Sequence, residues 1–188
     1  MWKSFFRQNQ LFGKGNPSDV KSNSSTPINN SVLVAYDNED RSHTGNANET
    51  IIGTPLLIPA NTMGANGHMR IEPFFYKVGT AGGFTIKQYL NTSTNIDGNE
   101  ILICGLVEGS SRLSTGTFRR IVNKNSLSIN NVYGNFSASS TDYDATNTAR
   151  ANINVDFSVN QYLITTVTLV NGADEAGYDY VNVFVHNP

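Results

Sequence analysis

Eight of the fifteen acidic residues of the chain fall into three short clusters, and paired carboxylates are what hydrolysis of a glycosidic bond requires. A glycosidase holds two carboxylates roughly 5–10 Å apart, one on each side of the scissile bond. The clusters are Asp37/Glu39/Asp40, Asp142/Asp144 and Asp174/Glu175/Asp179. Each cluster lies among turn-forming residues, where aspartate commonly hydrogen-bonds its own backbone. We therefore interpret the clusters as turn residues and predict that the chain is not an enzyme.

The histidines and the cysteine suggest no other catalytic or metal site. A Ser-His-Asp site would need His43, His68 or His186 as its base, but these lie far apart in the sequence and no Gly-x-Ser-x-Gly elbow occurs. The single Cys104 excludes an intrachain disulfide and a cysteine-based zinc site. A calcium site of the EF-hand type needs oxygen ligands at a fixed spacing, and the first and second acidic clusters do not have that spacing. We predict no catalytic residue, no metal and no cofactor.

The composition limits the partners that the chain can have. Charged residues make up only 15% of the 188 residues and the net charge is −2, so no global positive field attracts nucleic acid. No apolar run approaches the roughly 18 residues of a membrane-spanning helix. The N-terminal residues become polar too early for a secretory signal. We therefore expect no nucleic acid partner and no membrane insertion.

Ten short segments have the residue types and alternation of β-strands. They are residues 31–36, 50–58, 68–78, 83–90, 101–107, 118–123, 127–132, 152–157, 162–170 and 178–185. In the third segment, Met69, Ile71 and Phe75 lie on one face, while Arg70 and Phe74 lie on the other. The nearly continuous apolar run 101–107 is typical of a strand that is buried on both faces. No segment from residue 31 onward keeps a helical period, so the pattern predicts an all-β sandwich or barrel.

The first 30 residues differ from the rest and are predicted to form an extended N-terminal arm and linker. The arm begins with aromatic and basic residues, which are Trp2, Lys3, Phe5, Phe6, Arg7 and Phe12. Residues 13–27 are rich in Gly, Ser, Asn and Pro, as in a flexible linker. We interpret the aromatic cluster as an anchor for another surface; the alternative is an arm that folds back on its own domain, residues 31–188.

A long polar loop, approximately residues 133–147, is the candidate for binding a carbohydrate. Tyr133, Phe136 and Tyr143 lie there among Asn, Ser, Thr and Asp, which are the groups that an aromatic sugar platform needs beside it. The alternative is that one aromatic side chain fixes the loop to the sandwich and the others are incidental.

Three segments, taken together, resemble the jelly-roll domains of tailed-bacteriophage structural proteins, which occur in head fibres, capsid decorations and tail fibres. The segments are IGTPLLIPANTM at 52–63, RIEPFFYKVGTAGGFTIKQYLN at 70–91 and YLITTVTLVNGAD at 162–174. The resemblance implies an all-β jelly-roll β-sandwich that follows an extended N-terminal arm.

The same resemblance implies a function. We expect a non-enzymatic virion protein, a homotrimer assembled in the host cytoplasm, with the arm docked on capsid or tail proteins of the virion. The alternative is a receptor- or glycan-binding tip for host attachment, in which loop 133–147 contacts a host cell-surface glycan.

Overall fold

The computed structural model describes residues 31–45, 48–80, 82–108, 112–133 and 150–188. Within these ranges the chain forms twelve β-strands and no helix. The strands are β1 Ser31–Asp37, β2 Arg41–Thr44, β3 Thr50–Ile58, β4 His68–Val78, β5 Phe84–Asn91, β6 Ile101–Glu108, β7 Arg112–Gly116, β8 Arg119–Asn123, β9 Asn130–Tyr133, β10 Arg150–Ile153, β11 Gln161–Leu169 and β12 Glu175–His186. The described part of the chain has no helix that could cross a bilayer.

The strands form two antiparallel sheets. The eight-stranded sheet has the order β1-β12-β4-β8-β9-β10, with β2 also paired to β12 and β7 also paired to β4. The four-stranded sheet has the order β3-β11-β5-β6. Strands that follow one another in the chain often lie in different sheets, as in a Greek-key sandwich. The predicted all-β jelly-roll sandwich is confirmed.

The alternation of side chains determines which face of each sheet is buried. On β4, Met69, Ile71 and Phe75 are fully buried between the sheets, as their spacing predicts. Val181 and Val183 of β12 lie beside them in the same core. The odd-numbered residues of β4 therefore fix the sheet in place, and the even-numbered residues face outward.

Strand β6 differs from the expectation for the apolar run 101–107. It is an edge strand whose only described partner is β5, and Val107 is 41% exposed. The pairing slips between Gln88 and Tyr89, so Ile103 and Cys104 are both fully buried although they are consecutive. A bulge turns two neighbouring side chains to the same side, and this is why the run lacks alternation without being buried on both faces. Strands β2 and β7 were not predicted because they are short and polar.

A buried ion pair connects the loops at one end of the sandwich. Lys77 Nζ lies 2.8 Å from Asp174 Oδ2, and both side chains are fully buried. Asp174 also accepts hydrogen bonds from the backbone N–H of Thr80 at 2.7 Å and from the Thr80 hydroxyl at 2.9 Å. The hydrogen bond from Lys77, followed by that from the Thr80 N–H, holds the pKa of Asp174 below its usual value. Every oxygen of this carboxylate is therefore occupied by the protein itself.

Candidate functional site

The outward-facing residues of β4 and β12 form a continuous row of aromatic and polar side chains, which we call the outer face. In antiparallel register these two strands place their outward side chains directly opposite each other. The row consists of Glu175, Tyr76, Phe74, Tyr180, Glu72, Asn182, Arg70, Phe184, His68 and His186. All ten residues are partly or fully exposed.

The centre of the outer face is aromatic. The rings of Phe74 and Tyr180 stack with centroids 5.8 Å apart and planes 22° apart. The guanidinium of Arg70 lies 5.4 Å from the centroid of the Phe184 ring. A tyrosine combines an apolar ring with a polar hydroxyl, so it suits a surface that contacts both apolar groups and water. The arrangement, which we call the platform, is an exposed aromatic patch with hydrogen-bonding groups beside it.

Two carboxylates meet at one end of this platform. The hydroxyl of Tyr76 donates a hydrogen bond to Asp40 Oδ1 at 2.5 Å and lies 3.2 Å from Glu175 Oε1. Because both oxygens contact one phenol oxygen, they cannot be farther apart than these two contacts laid end to end, which is about 5.7 Å. Asp40 is exposed and Glu175 is half-buried, so both remain open to solvent.

The turn between β1 and β2 positions Asp40. Asp37 accepts hydrogen bonds from the backbone N–H of Glu39 at 3.0 Å, from Arg41 Nε at 3.1 Å and from the Tyr178 hydroxyl at 2.9 Å. Burial alone would raise the pKa of Asp37, but the hydrogen bonds from Glu39, Arg41 and Tyr178 outweigh burial and lower it. The anchored turn ends next to Tyr76, on the outer face.

A glycine allows β2 to approach the outer face closely. Gly177 of β12 lies between Ser42 of β2 and Tyr76 of β4 in the register. A methyl group at this position would collide with the carbonyl oxygen of Arg41. The absence of a side chain therefore lets β2 pair closely with β12, and Asp40, the residue before β2, lies beside Tyr76.

Burial and the neighbouring charge keep Tyr76 in its protonated form. Burial raises the pKa of its phenol, and the hydrogen bond to Asp40 raises the pKa further. A phenol with a raised pKa stays a donor throughout the neutral range. Since it has one hydrogen, it can donate to only one of the two carboxylates at a time.

The structure separates the residues of the predicted acidic clusters by role. Asp37 and Asp174 are buried and hydrogen-bonded, as expected for turn and loop anchors. Asp40 and Glu175 come from different clusters and meet at Tyr76. The interpretation of these two as turn residues alone is wrong, because sheet pairing brings together strands that are far apart in the sequence. Residues 142–144 lie outside the described ranges.

The other predicted site residues are only partly described. Tyr133 lies opposite Arg120 in the β8–β9 pairing, and the Lys124 ammonium lies 5.9 Å from its ring centroid. Phe136, Tyr143 and the whole of the arm from Trp2 to Phe12 lie outside the described residues, so the arm and its docking role remain predictions. The homotrimer also remains a prediction.

The histidines do not form a metal site within the described part of the chain. The rings of His68 and His186 have centroids 4.7 Å apart, although the two residues are distant in sequence. His43 lies elsewhere, on β2. Among the residues that the structure describes, no group of three or more His, Cys, Asp or Glu side chains could hold a metal ion.

Sequence reasoning missed the outer face, although one signal for it was present. The alternation in residues 68–78 places the side chains of Arg70, Glu72, Phe74 and Tyr76 on the face opposite the core. Such a run of large aromatic and charged side chains on an exposed face indicates a binding surface.

Comparisons with known proteins found similarity only among solved structures. The chain is similar to a laminarinase from Rhodothermus marinus (TM-score 0.39, 11% identity, 84% of this chain and 98% of that chain). It is similar to an endo-β-1,3-glucanase from Pyrococcus furiosus (TM-score 0.41, 11% identity, 84% and 95%). It is also similar to the catalytic domain of an endo-1,3-β-glucanase from Thermotoga petrophila (TM-score 0.40, 10% identity, 86% and 100%). No family model and no curated protein matches the chain.

These findings correct four expectations. The resemblance to tailed-bacteriophage structural proteins is wrong, because the solved structures that the chain is similar to are glycoside hydrolases. The non-enzymatic virion protein, its alternative as a tip for host attachment and the expectation of no enzyme activity are overturned by the same finding. At these TM-scores and identities, the similarities carry no information about substrate or mechanism.

Proposed function

We propose that the chain is a glycoside hydrolase that binds a polysaccharide along the outer face and cleaves it between Asp40 and Glu175. One observation carries this proposal: two solvent-accessible carboxylate oxygens no more than about 5.7 Å apart lie at the end of an aromatic platform. Two carboxylates and a platform that orients the sugar are the parts that glycosidic hydrolysis needs.

The two carboxylates would take different roles. The Tyr76 hydroxyl donates to Asp40 Oδ1 at 2.5 Å and lies within donating distance of Glu175 Oε1, at 3.2 Å. We assign Glu175, the less exposed of the two, as the general acid that protonates the leaving glycosidic oxygen, and Asp40 as the nucleophile.

The short separation favours retention of configuration. Retaining enzymes hold their two carboxyl groups about 5–5.5 Å apart, whereas inverting enzymes need about 6.5–9.5 Å to admit a water molecule. Asp40 would attack the anomeric carbon as Glu175 protonates the leaving oxygen. Glu175, now a carboxylate, would then take a proton from a water molecule whose oxygen attacks the anomeric carbon. The sugar–Asp40 bond breaks as the new carbon–oxygen bond forms, and both groups return to their starting states.

The platform provides several contacts along one chain of sugars. Tyr76 and Arg70 are six positions apart on β4. At roughly 3.3 Å per residue, their separation along the strand is about 20 Å. The side chains along this distance stand on paired strands of a packed sheet, so little conformational freedom is lost when a ligand binds.

The test measures reducing ends released from a panel of neutral and acidic polysaccharides by the full chain. We expect Glu175→Gln to lower the rate on the active substrate by about 100-fold or more, the usual contribution of a general acid. Asp179→Asn is the matched control, because Asp179 is an exposed acid on the same strand that is not paired with a residue of β4. Equal rates for wild type and Glu175→Gln would overturn the proposal, as would activity on no substrate.

A further inference from the structure

The end of the outer face opposite the carboxylates is basic. Arg70 of β4 is the direct cross-strand neighbour of Arg120 on β8, and both are exposed. Next to them, His68 of β4 pairs with His186 of β12. We call these four residues the basic end. One cross-strand position on the sheet therefore carries two guanidinium groups of the same charge, and two imidazoles lie next to it.

Like charges directly opposite each other destabilise an antiparallel pair. The local potential also acts on His68: burial lowers its pKa first, and the charges of His186, Arg120 and Arg70 lower it further. A counter-charge would relieve this repulsion, and among the residues that the structure describes it is only partly supplied.

The partial counter-charge is Glu72. Its carboxylate lies 2.8 Å from Arg70 Nε, so Arg70 is paired. Arg120 has no carboxylate within ion-pairing distance among the residues that the structure describes. Tyr133 is the cross-strand neighbour of Arg120 on β9, and the Phe184 ring lies under the Arg70 guanidinium. Cationic groups beside aromatic rings are thus left facing solvent.

We propose that the basic end binds the carboxylate or sulfate groups of an acidic polysaccharide, which rests on the proposed function that places a glycan along the outer face. Arg120 is the principal contact, since a guanidinium binds carboxylate and sulfate oxygens with two parallel hydrogen bonds. The proposal narrows the substrate to glycans that carry anionic groups at some distance from the bond that is cleaved.

Charge complementarity favours a sparsely charged glycan over nucleic acid. The same face ends in Asp40 and Glu175, and Glu72 lies in its middle, so a polymer with a charge on every unit would meet carboxylates as well as cations. The net charge of −2 adds no general attraction for a dense polyanion. A glycan that places a neutral sugar ring on Phe74 and Tyr180 and an anionic group at Arg120 fits both the aromatic centre and the basic end of the outer face.

The experiment measures binding by affinity electrophoresis of the full chain through gels that contain one polymer each. Carboxymethylcellulose and hydroxyethylcellulose share a backbone and differ in charge, and dextran sulfate and dextran form a second such pair. The first pair tests carboxylate and the second tests sulfate. We expect the charged member of at least one pair to bind about tenfold more tightly, and Arg120→Gln to remove most of that difference.

Lys87→Gln is the matched control. Lys87 is a basic residue on the four-stranded sheet, paired with Glu49 at 3.1 Å, and it lies away from the outer face. Unchanged binding in Lys87→Gln together with the loss in Arg120→Gln supports the proposal. Equal losses in the two variants would mean non-specific charge attraction and would overturn it, as would equal affinity for charged and neutral polymers.

Two further outcomes separate this inference from the proposed function. Binding of duplex DNA as tight as that of the acidic polymers, and equally sensitive to Arg120→Gln, would overturn the assignment to a polysaccharide. If Arg120-dependent binding of a charged glycan is found but no polysaccharide is cleaved, the basic end is correct and the hydrolysis between Asp40 and Glu175 is wrong. The two proposals therefore fail on different measurements.

Discussion

Asp174 and Glu175 are consecutive in the chain, yet their surroundings are opposite. Asp174 is fully buried and its oxygens are occupied by Lys77 and Thr80. Glu175 begins β12 with its side chain on the outer face, where it contacts the phenol of Tyr76. A carboxylate that the protein has saturated with donors holds the fold together. One that shares a single hydrogen with a neighbour keeps the capacity to react.

Asp37 and Asp40 repeat this contrast within the first cluster. Asp37 accepts three hydrogen bonds from Glu39, Arg41 and Tyr178 and anchors its turn. Asp40 is exposed at the end of that turn and contacts Tyr76. In both clusters the anchor and the proposed catalytic group lie within three residues of each other. The comparison therefore predicts which variants lose stability and which lose activity.

The largest effect is expected from breaking the buried ion pair. Lys77→Met leaves the Asp174 carboxylate buried without its cation, and breaking such a pair typically costs about 3–5 kcal/mol. The free energy of unfolding, measured by urea denaturation, should fall by that amount. The double variant Lys77→Met/Asp174→Asn should recover part of the loss. A single variant as stable as wild type would contradict the role of Asp174 as an anchor.

The second prediction separates Asp40 from Asp37 in one pair of variants. Asp40→Asn should lower the rate of polysaccharide cleavage by about 100-fold or more while leaving unfolding within about 0.5 kcal/mol of wild type. Asp37→Asn should lose about 1–3 kcal/mol of stability, because charged hydrogen bonds are replaced by weaker ones. Denaturation and cleavage assays on both variants check this. The reverse pattern would show that the two roles are exchanged.

A smaller effect is expected from Tyr76→Phe, which keeps the ring and removes the hydroxyl shared by the two carboxylates. We expect a loss in cleavage rate of roughly tenfold, as for one hydrogen bond to a charged group. The loss should be in kcat, because the hydroxyl contacts both proposed catalytic carboxylates. Phe74→Leu, on the platform, is the control: it should raise KM and leave kcat nearly unchanged.

The smallest effect is a loss of stability at acidic pH, to which the hydrogen-bonded carboxylates of Asp37 and Glu49 contribute. Burial would raise the pKa values of Asp37 and Glu49, but hydrogen bonds hold both below their ordinary values. A lowered folded-state pKa adds stability above the unfolded pKa, near 4, and this stability is lost as the pH falls through the folded value. Wild type should therefore lose stability below about pH 4. The loss should be smaller in Asp37→Asn; identical curves would contradict the role of this anchor.

Much of the fold follows from local pattern. All ten predicted segments overlap strands of the structure, because a period of two and runs of β-branched or aromatic residues are visible within a few positions. The inward residues Met69, Ile71 and Phe75 were identified for the same reason. The bulge at Ile103 and Cys104 was missed, since a slip in register depends on the partner strand and leaves no mark in the strand itself.

The sequence by itself determined ten of the twelve described strands, the buried face of β4 and the acidic clusters from which the candidate site is built. Only the tertiary structure decided which carboxylates meet. Asp40 and Glu175 are 36 and 99 residues from the tyrosine that they share, and the order β2-β12-β4 in one sheet brings all three together. The physical reason is that alternation is a property of neighbouring residues, whereas strand order is set by how the whole chain buries its core.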